Sequence, residues 1–296
     1  NMLKFRWEVA VGDEHIDSRA FLKMVENYKG LVKIKDQYAY FDEKEIKTLL
    51  DKLKNPPELD SNDLLQTALT EEYDGTGVTL SKSAQKLMKN LLKNEAVTLP
   101  DNLRANLRPY QQRGYEWLYK NTRLGMGSLI ADDMGLGKTL QVIATLLKMK
   151  QEGAFKKTKG LVVVPTTLLT NWTKEIAKFA PELKPHLYHG PGRSLALLQE
   201  ADLLLTTYGV VRSEEESLAK HKWTVMVIDE AQNIKNPNTA QTKAVKKMKA
   251  GIKIAMSGTP VENRMSEYWS IFDFANKGYL GSLKKFVSDY AIPIEI

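Results

Sequence analysis

The last two thirds of the chain alternate short apolar runs with helical patterns, and this alternation limits the possible folds more than any other feature. Six runs have the length and composition of buried strands: 128–131, 161–164, 186–189, 203–207, 225–228 and 252–256. Helices are predicted over 139–149, 171–179 and 268–275, with another beginning at Pro237. Regular alternation of strands and helices is typical of an α/β domain with a parallel sheet. We therefore predict a parallel sheet flanked by helices between residues 101 and 296.

Residues 1–100 lack this alternation and are predicted to form a small α+β helper or accessory domain, with the boundary near Pro100. Its predicted elements are a strand over 5–11, a hairpin of 31–35 and 38–41 turning at Asp36 and Gln37, and helices over 18–29, 42–53 and 80–92. The apolar residues of the last helix repeat at helical spacing beside four lysines. Packing on a core is therefore favoured over DNA binding for this helix.

The composition excludes several kinds of site. The chain has no cysteine and only four histidines, which excludes disulfides, thiolate metal sites and cysteine nucleophiles and argues against zinc. No apolar stretch reaches the roughly 18 residues of a membrane span. The N-terminal residues also lack an apolar signal core, so we expect a cytoplasmic protein.

The basic charge is confined to one part of the chain. Residues 1–100 carry 15 Lys and Arg against 17 Asp and Glu, a balance of −2, and residues 101–296 carry the remaining 28 against 19, a balance of +9. A local basic excess suggests a polyanionic partner there, although solvated lysine faces are also common. For the lysines at 243, 246, 247, 249 and 253, a solvated helix face is favoured over contacts with phosphates.

A glycine-rich loop, ADDMGLGKT over 131–139, lies between a predicted strand and a predicted helix. Glycines allow the tight curl in which backbone N–H groups converge on a phosphate at a helix N-terminus. The lysine of such a loop reaches the β- and γ-phosphates, and the hydroxyl that follows binds Mg²⁺. Asp132 stands where the strict phosphate-loop pattern has glycine. The predicted nucleotide-binding residues here are Met134, Gly135, Leu136, Gly137, Lys138 and Thr139.

A second motif, VMVIDEAQ over 225–232, takes an apolar strand directly into two carboxylates. Adjacent acids at a buried strand end repel each other and lose hydration. A metal ion and a water that share the charge would offset this cost. We predict that Asp229 holds Mg²⁺ and that Glu230 orients and deprotonates the attacking water. Both motifs end predicted strands, which is where ligands bind in open α/β sheets.

Six motifs in sequence order resemble those of the Swi/Snf-type ATPases, which are double-stranded DNA translocases of helicase superfamily 2. They are RPYQ (108–111), DDMGLGKT (132–139), PTTLLTNW (165–172), LLTTYGVV (204–211), DEAQNIKN (229–236) and SGTPVEN (257–263). The resemblance covers residues 103–296. Aspartate at the position of Asp132 also occurs in this family, and the motifs resemble those of its bacterial branch. Residues 1–100 are a weaker match to the helper domain of bacterial members.

The resemblance implies a RecA-like lobe that binds ATP and Mg²⁺ and contacts double-stranded DNA without reading its sequence. It implies adenine recognition by Tyr110 and Gln111. Beyond the nucleotide pocket, it implies coupling or catalytic roles for Gln232, Ser257, Gly258 and Thr259. It also implies that four residues lie along the DNA-phosphate path: Thr166, Trp172, Thr207 and Tyr208. For the last four, ordinary core or cap roles remain an alternative. Residues 1–100 could bind a protein partner, and the expected location is the bacterial nucleoid.

Members of this superfamily have two RecA-like lobes, and the second supplies the arginine fingers. No Q-x-x-G-R-x-x-R run is present in the sequence. We therefore predict that residues 101–296 form the first lobe, that the second is absent from this chain, and that the chain alone hydrolyses ATP slowly. Two other functions remain open: a strand-separating helicase of the same superfamily, and a nucleotide-dependent scaffold. Intact Lys138, Asp229 and Glu230 argue against the scaffold.

Overall fold

The computed structural model describes residues 97–133, 135–259 and 264–292, six short strands before them, and the isolated positions 20, 21, 23 and 67. Contacts divide the chain into two units, Asn1–Met88 and Lys89–Ile296. The division falls before the predicted boundary at residue 100. The cause is that residues 97–107 belong to the second unit: Val97, Leu103 and Leu107 pack against Tyr115 and Tyr119.

The described strands of the first unit form three antiparallel pairs. They are β1 (Glu8–Val11) with β2 (Glu14–Asp17), β3 (Leu31–Ile34) with β4 (Gln37–Tyr40), and β5 (Glu72–Tyr73) with β6 (Thr76–Gly77). The predicted hairpin is confirmed, but Gln37 pairs with Ile34 as the first residue of β4 and does not belong to the turn. Within the predicted helix 18–29 the described positions are helical. The predicted helices 42–53 and 80–92 lie outside the described residues.

The second unit contains a six-stranded sheet, as predicted, and all of its strand pairs are parallel. The strands are β7 (Ser128–Ile130), β8 (Lys159–Val164), β9 (Pro185–Leu187), β10 (Leu203–Thr207), β11 (Lys222–Ile228) and β12 (Lys249–Met256). Their order across the sheet is β7-β12-β11-β8-β10-β9. Each predicted strand is present, and half of the strand boundaries differ from the prediction by one to three residues.

Eight helices are described in this unit: α1 (Pro109–Leu124), α2 (Lys138–Gln151), α3 (Leu169–Phe179), α4 (Tyr208–Ser213), α5 (Glu215–Ala219), α6 (Ala240–Lys247), α7 (Met265–Ala275) and α8 (Leu283–Phe286). The helix expected to open at Pro237 begins instead at Ala240, because the Thr239 side chain caps it by accepting from the Thr242 N–H. No helix in the described part of the chain has the length and apolar character that a bilayer crossing needs.

Two hydrophobic cores cover the two faces of the sheet. Alternate residues of β8 point to opposite faces, so Val162 enters one core and Leu161 the other. The first core includes Ile143 of α2 and Trp172 of α3, and the second includes Phe274 of α7. The sheet is therefore covered by helices on both faces, and its carboxyl edge carries the motifs identified in the sequence.

The lysine cluster between 243 and 253 is only partly a solvated face. Lys246 forms an ion pair with Asp273 at 2.7 Å, and Lys247 forms one with Glu215. Lys253, in the middle of β12, lies with its ammonium 5.0 Å from the centre of the Phe274 ring. Burial lowers the pKa of Lys253 from 10.5 to about 8, and the neighbouring Lys277 adds to this effect.

Replacing Lys253 by methionine is expected to stabilise the lobe at neutral pH. A lysine whose pKa falls on folding destabilises the folded state below that pKa, and the penalty disappears as pH rises from about 8 to about 10.5. We expect Lys253→Met to raise the free energy of unfolding by roughly 1–3 kcal/mol at pH 7 and by little at pH 10. Denaturant unfolding of both proteins at the two pH values measures this difference.

Lys249→Met is the matched control, because Lys249 is exposed on the same strand. A difference between Lys253→Met and the unsubstituted protein that stays constant from pH 7 to pH 10 would contradict the assigned penalty.

Candidate nucleotide site

Five of the sequence motifs meet at one edge of the sheet. The glycine-rich loop follows β7, the Thr166 segment follows β8, Tyr208 follows β10, Asp229 follows β11 and Ser257 follows β12. All of these strands are parallel, so their carboxyl ends lie on the same side. Only β12 separates β7 from β11, which brings the loop and the carboxylate pair to neighbouring positions on this edge.

The loop after β7 has the backbone that its glycines predicted. Gly135 and Gly137 have φ values of 81° and 78°, in the left-handed region where other residues are strained. Gly137 also has no space for a side chain, because a Cβ atom there would lie 2.4 Å from the Gln111 Nε2 atom. Met134 lies outside the described residues. The loop delivers Lys138 and Thr139 to the first turn of α2.

Lys138 faces its own loop. Its ammonium donates hydrogen bonds to the main-chain carbonyls of Asp132 at 2.6 Å and Asp133 at 2.9 Å. The Asp132 carboxylate accepts from the Nε2 atom of buried Gln141 at 3.2 Å, so this side chain is tied to α2. The aspartate that departs from the strict loop pattern therefore anchors the loop to the helix behind it.

Gln111 lies against this loop. Its Nε2 atom donates to the Leu136 carbonyl at 3.1 Å, and its Oε1 atom accepts from the Arg108 N–H at 2.9 Å. Main-chain groups thus engage both ends of the amide, one at the start of α1 and the other in the glycine-rich loop. Adenine recognition by Tyr110 and Gln111 remains a proposal, and for Gln111 it would require an exchange of these partners.

Asp229 is a nearly buried carboxylate with two neutral donors. Its Oδ2 atom accepts from the Trp172 Nε1–H at 2.8 Å, and its Oδ1 atom accepts from the Glu230 N–H at 2.8 Å. Burial raises the pKa of Asp229, and the Glu230 charge also raises it, whereas the two donors and the Lys138 ammonium act in the opposite direction. The effect of the Lys138 ammonium on Asp229 agrees with the neighbouring positions of the two motifs on this edge of the sheet.

Glu230 has a backbone φ of 51°, which is uncommon for a residue other than glycine. Such backbone strain persists where surrounding contacts enforce it and is concentrated at functional sites. Here the Tyr208 hydroxyl donates to the preceding carbonyl, that of Asp229, at 2.6 Å. Buried Tyr208 thus fixes the peptide that joins the two carboxylates.

A chain of hydrogen bonds connects Glu230 to the SGT motif. The Gln232 Nε2 atom donates to Glu230 Oε2 at 2.7 Å, and the Gln232 Oε1 atom accepts from the Ser257 hydroxyl at 3.0 Å. The Ser257 Oγ atom in turn accepts from the Thr259 N–H at 3.2 Å. Gly258 lies between these two residues at the end of β12. The arrangement supports the coupling roles expected of Gln232, Ser257, Gly258 and Thr259, which remain proposals.

Three of the four predicted DNA-path residues are buried. Trp172 is 0% exposed, Thr207 2% and Tyr208 4%. The Thr207 hydroxyl caps α4 by accepting from the Val210 N–H, and the other two side chains hold Asp229. Their burial favours the core and cap roles that the sequence left open, and their places along the DNA-phosphate path remain a proposal. Thr166 is exposed in the short 3₁₀ helix Thr166–Leu168, and its contact with DNA remains a proposal.

The donor set at this edge fits Mg²⁺. Asp229 supplies carboxylate oxygens and Thr139 supplies a hydroxyl, and hard divalent cations prefer such oxygen ligands. Asp229 is also a nearly buried carboxylate whose hydrogen-bond donors are both neutral. A nearby cation would offset its lost hydration. No group of three or more acidic or histidine residues suited to a metal occurs in the described ranges. The metal would therefore rely on these two residues and on a phosphate of the nucleotide.

The supporting roles of the residues behind the site are not evident from sequence motifs. Gln141 on α2 and the indole of Trp172 on α3 hold Asp132 and Asp229. A buried glutamine and a buried tryptophan each need a partner for their N–H groups, and that need is the available signal. Sequence alone does not identify the partner.

Comparisons with known proteins agree with this geometry. The sequence pattern of the SNF2-related domain family matches residues 110–295, and a second family pattern, described as SNF2 Helicase protein, matches residues 1–69. The chain is 38% identical to YwqA of Bacillus subtilis, named as a putative ATP-dependent helicase/translocase. That match covers 99% of the chain and 34% of YwqA, so the chain spans about a third of this relative.

Two further matches each cover about 70% of the chain. The Sulfolobus solfataricus SWI2/SNF2 ATPase core, solved in complex with double-stranded DNA, is 45% identical with a TM-score of 0.63. The match covers 68% of this chain and 42% of that one. The TATA-binding protein-associated factor mot1 of Schizosaccharomyces pombe is 36% identical over 70% of this chain and 11% of its own length.

Proposed function

Because the chain belongs to the SNF2-related family of ATPases, we propose that it forms the nucleotide-binding lobe of a motor that hydrolyses ATP and moves along double-stranded DNA. The observation that carries the proposal is the hydrogen-bond chain Glu230–Gln232–Ser257, which joins the residue proposed to activate water to the end of β12. A nucleotide-binding protein that only regulates a partner has no need for a hydrolytic carboxylate connected in this way.

The residues at the sheet edge have separate proposed roles in phosphoryl transfer. The loop N–H groups and the N-terminus of α2 bind the phosphates, and Lys138 exchanges the carbonyls of Asp132 and Asp133 for phosphate oxygens. Asp229 and Thr139 hold Mg²⁺, which when bound neutralises charge on the β- and γ-phosphates. Glu230 accepts the proton of the attacking water at its carboxylate. Gln232 holds that carboxylate in place and connects it to Ser257.

ATP hydrolysis by the complete protein, measured with and without duplex DNA, tests this function. We expect hydrolysis to rise when DNA is added and to be lost in Lys138→Ala. Hydrolysis that is indifferent to DNA would contradict the motor and leave only a nucleotidase. A strand-displacement assay then separates a translocase from a strand-separating helicase. The double-stranded DNA bound by the Sulfolobus core favours the translocase.

DNA binding by this chain is expected to be weak, salt-sensitive and nearly independent of sequence. The +9 balance of residues 101–296, 28 basic against 19 acidic, supplies contacts with phosphates, and each such contact releases counterions. We expect the affinity to fall at least about tenfold between roughly 50 and 200 mM salt. Fluorescence anisotropy with two duplexes of unrelated sequence measures both properties. Sequence-selective binding that survives high salt would contradict the expectation.

We propose further that residues 1–100 contact a protein partner and that the motor acts at the nucleoid. Pull-down with these residues deleted from the complete protein tests the first point. Retention of every partner after the deletion would contradict it.

A further inference from the structure

We propose that Trp172 is a positioning residue for the metal carboxylate Asp229, and that its indole N–H sets the affinity of the site for Mg²⁺. The inference rests on the proposed function, because it assumes that Asp229 holds the metal. Two buried side chains carry it. Trp172 is 0% exposed and Asp229 is 7% exposed, and their 2.8 Å hydrogen bond lies inside the lobe.

The hydrogen bond fixes the orientation of the carboxylate. Trp172 holds the Oδ2 atom and the Glu230 N–H holds the Oδ1 atom, so the group has one donor on each oxygen. Rotation about the side-chain torsion would break both bonds. A carboxylate oxygen accepts more than one partner, so each oxygen retains the capacity to face a cation. The two donors therefore prepare the carboxylate for a metal without using up its acceptor capacity.

Two of the other three described indoles of the lobe donate to a different kind of acceptor. Trp223 donates to the Leu218 carbonyl at 3.3 Å, and Trp269 donates to the Gly281 carbonyl at 3.1 Å. Both of these partners are neutral main-chain groups. Trp172 alone among these three donates to an ionisable side chain, and hydrogen bonds to charged acceptors are shorter and stronger.

The position of Trp172 in the fold also matters. It lies on α3, which continues directly from the exposed 3₁₀ helix Thr166–Leu168 at the carboxyl end of β8. Thr166, Thr170 and Asn171 are exposed on this segment. The orientation of Asp229 thus depends on the placement of a helix whose first residues face solvent at the same edge of the sheet.

Partners that orient a metal ligand from behind typically change metal affinity by about 10- to 100-fold when removed. Trp172→Phe keeps the aromatic packing and removes the donor, and Trp223→Phe does the same to a remote indole. The affinity for a fluorescent ATP analogue is measured for both variants and the unsubstituted chain, first in EDTA and then across a Mg²⁺ titration. For Trp172→Phe we expect an affinity in EDTA within about twofold of the unsubstituted chain and a Mg²⁺ midpoint raised about tenfold.

Trp223→Phe should change neither value. An unchanged Mg²⁺ midpoint in folded Trp172→Phe would overturn the positioning role. If the unsubstituted chain itself shows no Mg²⁺-dependent binding, the proposed function fails instead, so the two failures are distinguishable.

A measurement on the unsubstituted chain decides the question if Trp172→Phe does not fold. The indole N–H resonances of a ¹⁵N-labelled sample are recorded with ATP in EDTA and again after Mg²⁺ is added in excess. We expect the Trp172 resonance to shift on Mg²⁺ addition while those of Trp223 and Trp269 stay in place. A Trp172 resonance that does not move would overturn the inference.

Discussion

The 296-residue chain is expected to bind ATP with Mg²⁺ and to hydrolyse it at least about 10³-fold more slowly than the same sequence extended by a second motor lobe. Phosphoryl transfer needs the charge developing on the γ-phosphate to be stabilised, and an arginine finger supplies about 10³–10⁵ of the rate. Among the residues proposed for catalysis, Lys138 is the only cation. The chain matches 42% of the Sulfolobus core, and the family places such arginines in the second lobe.

Single-turnover hydrolysis at low protein concentration measures this difference in rate, because an arginine of one molecule then does not reach the site of another. Nucleotide binding is measured on the same sample as the control. Arg264, at the N-cap of α7 just after the SGT motif, is the nearest arginine in sequence to that motif. Robust DNA-stimulated turnover by the 296-residue chain would show that an arginine within it already completes the site.

The strands of the second unit are predictable because a parallel strand covered on both faces has a nearly continuous apolar sequence. Val162 and Leu161 enter different cores, and both side chains are fully buried among apolar residues. Helix α1 is not predicted from its pattern, because its sequence is largely polar and only one face is buried, through Tyr115, Leu118 and Tyr119. Its boundaries carry usable signals: Pro109 at the first position and Gly125, with a φ of 72°, just after the last.

The candidate site is likewise only partly predictable from the sequence. The residues proposed to bind phosphate and metal and to activate water lie in continuous motifs, so the resemblance can identify them. The contacts that hold them depend on pairs far apart in sequence, such as Trp172 and Asp229, which are 57 residues apart. The resemblance associates Trp172 and Tyr208 with DNA because their motifs border it in the family. The fold instead directs both side chains inward, to the carboxylate and carbonyl of Asp229.

In the complete protein, Glu230→Gln is expected to lower DNA-stimulated hydrolysis by about 10²–10⁴-fold, the usual contribution of a general base. ATP binding should be preserved, because Glu230 is not among the groups that hold the phosphates or the metal. The substitution is also nearly isosteric. The Gln232 Nε2–H, now 2.7 Å from the carboxylate, can donate to the new amide oxygen, so the contact with Ser257 is maintained.

Steady-state hydrolysis and equilibrium ATP binding, measured on the same preparations, separate these two effects. Glu215→Gln is the matched control: it removes an acid that pairs with Lys247 on a different helix, and it should leave both quantities unchanged. A Glu230→Gln protein that retains more than about a tenth of the hydrolysis would mean that another group takes the water proton. Asp229 is the only other carboxylate proposed for this chemistry, and its proposed role is to hold the metal. Under the proposed function, the hydrolytic step is therefore expected to depend on Glu230.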